Sequence, residues 1–170
     1  MCWSMSASVA MVGIGVVATA VSARRGDPPA IPLTLGYFTL MEALQVGGYL
    51  VVDECSLNAN KSVTLLSYLH IAFQPLFINA FAMAIATTLV SPRMRRMVFS
   101  LAGLSALVLV ARLIPFEWVE ACLIGSTLCG ETLCTVSGNW HIAWNVPVND
   151  VWRTLGSPYS DVMPFPEYVL

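Results

Sequence analysis

Charge is what this sequence has least of. Only 11% of its 170 residues are charged and 57% are hydrophobic, against roughly 25% and 45–50% in an average soluble domain. Eight basic and ten acidic residues are too few to coat a water-soluble domain of this size. The chain also lacks a basic cluster with interleaved aromatics, and its net charge is -2. Nucleic-acid binding is thereby excluded. The charge-rich, low-hydropathy composition of a disordered chain is missing as well, as are internal repeats, low-complexity tracts and charge runs. A lipid bilayer is the solvent that remains.

Four apolar stretches are long enough for a hydrocarbon core, which takes about 20 helical residues. They run over about residues 5–23, 30–52, 64–90 and 97–116. The first holds no charge, the second holds only Glu42, and the fourth holds Arg112 near its end. Pro28 and Pro29 suit the loop and first turn that open the second stretch. The third is longer than a span requires and is expected to tilt or kink at Pro75. A cleavable signal peptide competes for the first stretch, since Ala18, Thr19 and Ala20 make a small-residue site. The basic pair Arg24 and Arg25 follows the apolar run instead of preceding it, which favours an uncleaved helix with its N-terminus outside.

Basic residues in short loops stay in the cytoplasm. Arg24, Arg25, Arg93, Arg95 and Arg96 all fall on one side of a four-span arrangement. Cys2, Cys55, Cys122, Cys129 and Cys134 all fall on the other. An outer side exposed to an oxidising compartment predicts one or two disulfides among Cys55, Cys122, Cys129 and Cys134. The expected fold class is therefore all-α, a polytopic transmembrane helix bundle of about four spans over residues 1–120. Residues 121–170 form an irregular extracytoplasmic loop or cap, in which Trp140, Trp144 and Trp152 suit the headgroup region. The ending at Pro164–Leu170 reads as the opening of a further span. The expected location is a bacterial inner (plasma) membrane, multi-pass, with the N-terminus outside.

Polar groups within spans carry the most information, because an ionisable group at bilayer depth costs roughly 2.5 kcal/mol or more and needs a partner or a purpose. Glu42 lies about 15 Å below the end of its stretch at ~1.5 Å per residue. Phe38, Glu42, Gln45 and Tyr49 form one helical stripe. Ser67, His70 and Gln74 form a matching stripe on the third stretch, with His70 expected level with Gln45 and Gln74 level with Glu42. Arg112 is a candidate partner for Glu42, or else snorkels towards headgroups or Glu117. Three readings apply to this intramembrane cluster of Glu42, Gln45, Ser67, His70, Gln74 and Arg112. It cross-links helices, it forms a transport or proton pathway, or Glu42 and His70 serve an intramembrane enzyme of hydrolase or redox type.

The cysteines admit other chemistry. Cys122, Cys129, Cys134 and His141 supply soft-metal ligand types, but their spacings match no metal motif and no metal is assigned. Quinone-linked thiol exchange would need a Cys-x-x-Cys motif, and the chain has none. His70 and His141 could serve as axial haem ligands only without any spacing rule behind them. No cofactor is assigned. On the first stretch Ser8, Met11, Gly15, Ala18 and Ser22 form a largely small-residue stripe that invites close approach of another helix of the same chain.

The opening Met1-Cys2-Trp3-Ser4 with Ala7 and Ser8, the stripe from Glu42 to Gln45, and the run His70-Ile71-Ala72-Phe73-Gln74-Pro75 resemble an uncharacterised family of bacterial polytopic membrane proteins. The resemblance implies a longer protein with more spans after the external loop, and it brings no activity, substrate or catalytic residue. The expectation is an integral membrane protein, transporter-like or structural, whose partners are the lipid bilayer and a small molecule or ion. The alternative is the intramembrane enzyme. Oligomeric state is left open.

Overall fold

The computed structural model describes residues 4–87, 89–124, 128–138, 141–150 and 154. Four helices follow one another, α1 (Met5–Arg25), α2 (Ala30–Leu50), α3 (Asn58–Ile85) and α4 (Pro92–Ala111), and then a hairpin of β1 (Cys134–Ser137) and β2 (Ile142–Asn145). The ends of the helices follow local chemistry. Ser4 caps α1 by accepting from the Ala7 amide, and Gly26 ends it in the left-handed region at φ 71°, which glycine adopts without a Cβ clash. Arg24 and Arg25 occupy its last turn, where cations suit the helix dipole. Ser91 caps α4 with Pro92 in the first turn. Pro75 stands inside α3, and the Asn79 side chain donates to the Pro75 carbonyl at 2.7 Å.

Neighbouring helices pack antiparallel. Between α1 and α2, Ser8 meets Gln45, Gly15 meets Thr39, and Gly36 meets Thr19. A Cβ on Gly15 would stand 2.2 Å from Thr39 Oγ1, so only glycine permits this approach. The small-residue stripe of α1 thus faces α2 within the chain. Between α2 and α3, Gly47 meets Val63, Tyr37 meets His70, and Thr34 Oγ1 donates to the Phe77 carbonyl at 3.0 Å. Between α3 and α4, the Tyr68 hydroxyl donates to the Leu109 carbonyl at 2.7 Å.

Most buried positions of the bundle are small or polar, among them Ser8, Thr34, Gln45, Thr64, Ser67, Ala72, Ala102 and Ala106, with Tyr68 and Met83 of α3 as the large exceptions. Large aliphatics point outward, among them Ile14, Leu33, Leu66, Leu104 and Leu107, each more than half exposed. That distribution reverses the one water imposes and suits a lipid surrounding, where close packing and interhelical hydrogen bonds replace the hydrophobic drive.

Two expectations need correction. Three helices, α1, α3 and α4, are long and apolar enough to cross a membrane, where four were expected. The exception is α2, whose 21 residues include Thr34, Gly36, Tyr37, Thr39, Glu42, Gln45, Gly47 and Gly48 and so dilute its apolar content. The chain is also not all-α. The segment after α4 contains the β1–β2 hairpin, paired from Cys134 with Asn145 to Ser137 with Ile142. These four-residue strands are too short for an alternating pattern to show in the sequence. Boundaries shift as well, since α3 starts six residues earlier than expected and α4 five.

The hairpin forms a cap seated on α2 and α3, and Asn149, just beyond β2, ties it to the end of α4 through Arg112. Tyr68, Val146 and Val148 make its core, with Leu113, Cys122, Leu133 and Trp144 packed around them. Trp140, Trp152 and the stretch Pro164–Leu170 lie outside the described residues, as does Cys2.

Candidate functional site

Glu42, Gln45 and Gln74 converge. They line one cavity of about 490 Å³ whose remaining wall is mostly apolar and includes Met11, Ile14 and Ala18 of α1 and Leu35 and Phe38 of α2. Gln45 is 2% exposed, and its Oε1 accepts from Ser8 Oγ at 3.3 Å. Among the described residues Glu42 has no ion-pair or hydrogen-bond partner, and Gln45, Gln74 and Thr39 are the other polar side chains that line its cavity. Such a set can accept and donate hydrogen bonds to a small polar or cationic guest.

Ser67 and His70 lie outside this cavity, on the α2-facing side of α3. The His70 ring stacks on Tyr37, with centroids 3.7 Å apart and planes 17° apart. Tyr37 stacks equally on Phe77 and donates its hydroxyl proton to the His70 backbone carbonyl. Gly47 opposite Val63 and Thr34 opposite Phe77 put His70 about a turn and a half further from the cap than Gln45, where the sequence placed them level. The six extra residues at the start of α3 account for that offset. Ser67 Oγ and His70 Nε2 are buried without a hydrogen-bond partner among the described residues.

Arg112 does not join the cluster. It caps the C-terminus of α4, its Nε donates to the Asn149 carbonyl at 3.1 Å, and its own carbonyl accepts from the Asn149 amide at 2.8 Å. Its cation thereby stitches α4 to the cap. It also helps to line a second cavity, of about 420 Å³, beside Cys122, Cys129 and Asn149.

The cap carries the groups that sequence reasoning missed. Asn60, fully buried, donates through Nδ2 to the carbonyls of Val51 at 2.6 Å and Thr135 at 3.0 Å, and accepts the Thr135 amide on Oδ1 at 2.8 Å. It thus pairs with Thr135 as a neighbouring strand would. Thr64 Oγ1 donates to the Asn60 carbonyl and meets Thr135 Oγ1 at 2.8 Å. Asp53, at φ 65°, receives the Ser137 hydroxyl and amide on its two carboxylate oxygens. The side-chain bond first and the backbone bond second hold its carboxyl below the usual value. No motif in the sequence marks Asn60 or Asp53, whose partners lie 75 and 84 residues away.

The cysteines pair as Cys55 with Cys134 and Cys122 with Cys129. His141 is exposed, with Nδ1 2.8 Å from the Ile142 carbonyl. Among the described residues no group of three or more His, Cys, Asp or Glu side chains is placed to hold a metal ion.

No curated protein and no solved structure matches the chain. The model of a family of unknown function, DUF5765, matches residues 6–170, and the chain belongs to that family.

Proposed function

We propose that the protein is an integral membrane protein of transporter-like character, whose α1–α2–α3 unit holds a binding site for a small polar or cationic guest. The observation that carries this reading is the cavity shared by Glu42, Gln45 and Gln74. A carboxyl group within an apolar helical unit is costly to keep, and it marks a functional position by default. α2 carries more polar residues than a typical span, but it packs between α1 and α3 and keeps apolar side chains such as Leu33 and Leu40 outward, which supports its crossing with them as the fourth span. The paired cysteines and the arginines Arg24, Arg25, Arg93, Arg95 and Arg96 lie at opposite ends of the helices. That separation supports an inner (plasma) membrane location with the cap and the N-terminus outside.

The enzymatic alternative has less support. Glu42 and His70 do not share the cavity, and the His70 ring is engaged by Tyr37.

The test uses Met41→Cys, beside Glu42 on the cavity wall, in a Cys2→Ser background, exposed to a cationic, membrane-impermeant methanethiosulfonate. Modification from one face, slowed by adding Glu42→Gln, is the expected outcome. Complete protection from both faces overturns the binding-site reading.

A further inference from the structure

One face of α3 is polar from its first turn to mid-helix. Asn60, Thr64, Ser67, His70 and Gln74 recur at spacings of four, three, three and four, a single stripe along about 21 Å of helix at ~1.5 Å per residue. It has three sections. At the cap end Asn60 and Thr64 are fully engaged with Thr135 and Val51. At the inner end Gln74 opens into the cavity with Glu42 and Gln45. Between them stand Ser67, 0% exposed, and His70, 5% exposed, whose Oγ and Nε2 have no partner among the described residues.

Two orphan polar atoms one helical turn apart, both facing the α2–α3 interface, are a specific arrangement. Buried polar groups are kept only where something satisfies them, and in a membrane the requirement is stricter because lipid offers no partner. Packing alone would be better served by alanine or valine at both positions. Internal water bonds groups of this kind, typically making about three hydrogen bonds. Ser67 offers a donor and acceptor, and His70 Nε2 offers one or the other according to tautomer.

We propose that Ser67 and His70 hold internal water between α2 and α3, that this water continues along the α3 stripe to Gln74 and the cavity, and that the species exchanged at Glu42 is the proton. The proposal rests on the cavity being a binding site and names what it binds. A hydronium gives its proton to the water held at Ser67 and His70, and each water or the Ser67 hydroxyl passes one proton onward towards the cavity. The Glu42 carboxylate becomes a carboxylic acid, and the reverse sequence returns it. No electron moves and only O–H or N–H bonds form and break. The groups facing Glu42 are simple: the α1 wall of the cavity, from Met11 to Ala18, has no titratable residue, α2 adds Gln45, and α3 adds Gln74. His70 is faced by Tyr37 of α2. On the α4 side of α3 stands Tyr68, with Arg112 near it.

The test reconstitutes the full chain in liposomes loaded with a pH-sensitive dye and imposes a potassium diffusion potential. Proton entry above the protein-free rate is expected for the native chain, with loss of that entry in Glu42→Gln and a several-fold slowing in Ser67→Val and in His70→Phe. A native chain that conducts no faster than empty liposomes overturns the proposal, even where the Met41→Cys labelling has shown the cavity to be open. Undiminished flux in both Ser67→Val and His70→Phe overturns the route. Because those variants can fail to fold, X-ray radiolytic footprinting of the native chain supplies a second measurement. Internal water next to His70 leads to its oxidation despite its burial, and an unoxidised His70 beside oxidised exposed residues overturns the water chain.

Discussion

Asn60 is a side chain acting as backbone. By meeting both the amide and the carbonyl of Thr135 it supplies the partner that β1 would otherwise lack on that edge. Asn60→Ala leaves the Thr135 amide buried and unpaired, which costs about 1–3 kcal/mol. The expected result is a clear fall in the thermal midpoint of the micelle-solubilised protein, with Asn60→Asp intermediate because it keeps the acceptor. Asp53 works at the exposed edge of the same contact. Its carboxyl is held below the usual value by the two Ser137 bonds, so the folded form binds a proton less readily than the unfolded one. The stabilisation is complete above the ordinary carboxylate pKa and is lost as pH falls through the lowered one. Measured stability is expected to drop across that acidic window, and Asp53→Asn is expected to remove that part of the pH dependence. Neither residue was legible in the sequence. Hydrogen bonds across 75 and 84 residues leave no local pattern, whereas Glu42, Gln45 and Gln74 stand out as polar residues in apolar runs.

Among elements, the helices were legible and the cap was not. Apolar length located α1 to α4, while the caps Ser4 and Gly26 that end α1 are seen in the structure. The start of α3 at Asn58 was hidden, since its first turns are polar and serve the cap. The depth of His70 was misjudged for that reason. The β1–β2 hairpin is held by its own pairing and by attachments to the helices and their connections, chiefly Asn60 and the Cys55–Cys134 bridge. That bridge closes 79 residues and the Cys122–Cys129 bridge closes seven. In the chain-entropy account the first contributes about 4–5 kcal/mol and the second about 2–3 kcal/mol. Limited proteolysis is expected to show the cap cut much faster in Cys55→Ser than in a Cys122→Ser, Cys129→Ser double variant.

At the scale of the molecule, the arginines at one end of the helices and the disulfides at the other define a direction. Impermeant maleimide on intact cells, in the Cys2→Ser background, is expected to label Ser62→Cys at the cap end of α3 and to spare Met94→Cys at the arginine end of α4. The reverse pattern inverts the orientation. The separation of arginines from cysteines was legible in the sequence because each group falls in its own set of connections. The closing of the cavity was not, because it depends on how α1, α2 and α3 turn towards one another. The long bridge has one more consequence, for biogenesis. Cys55 emerges from the ribosome well before Cys134, with α3 and α4 between them. Both thiols reach the same compartment only after an even number of crossings. On the topology proposed above, in which α3 and α4 both cross, a chain that fails to insert one of them strands its cysteines on opposite sides, and a closed Cys55–Cys134 bond then reports that the pair has been threaded.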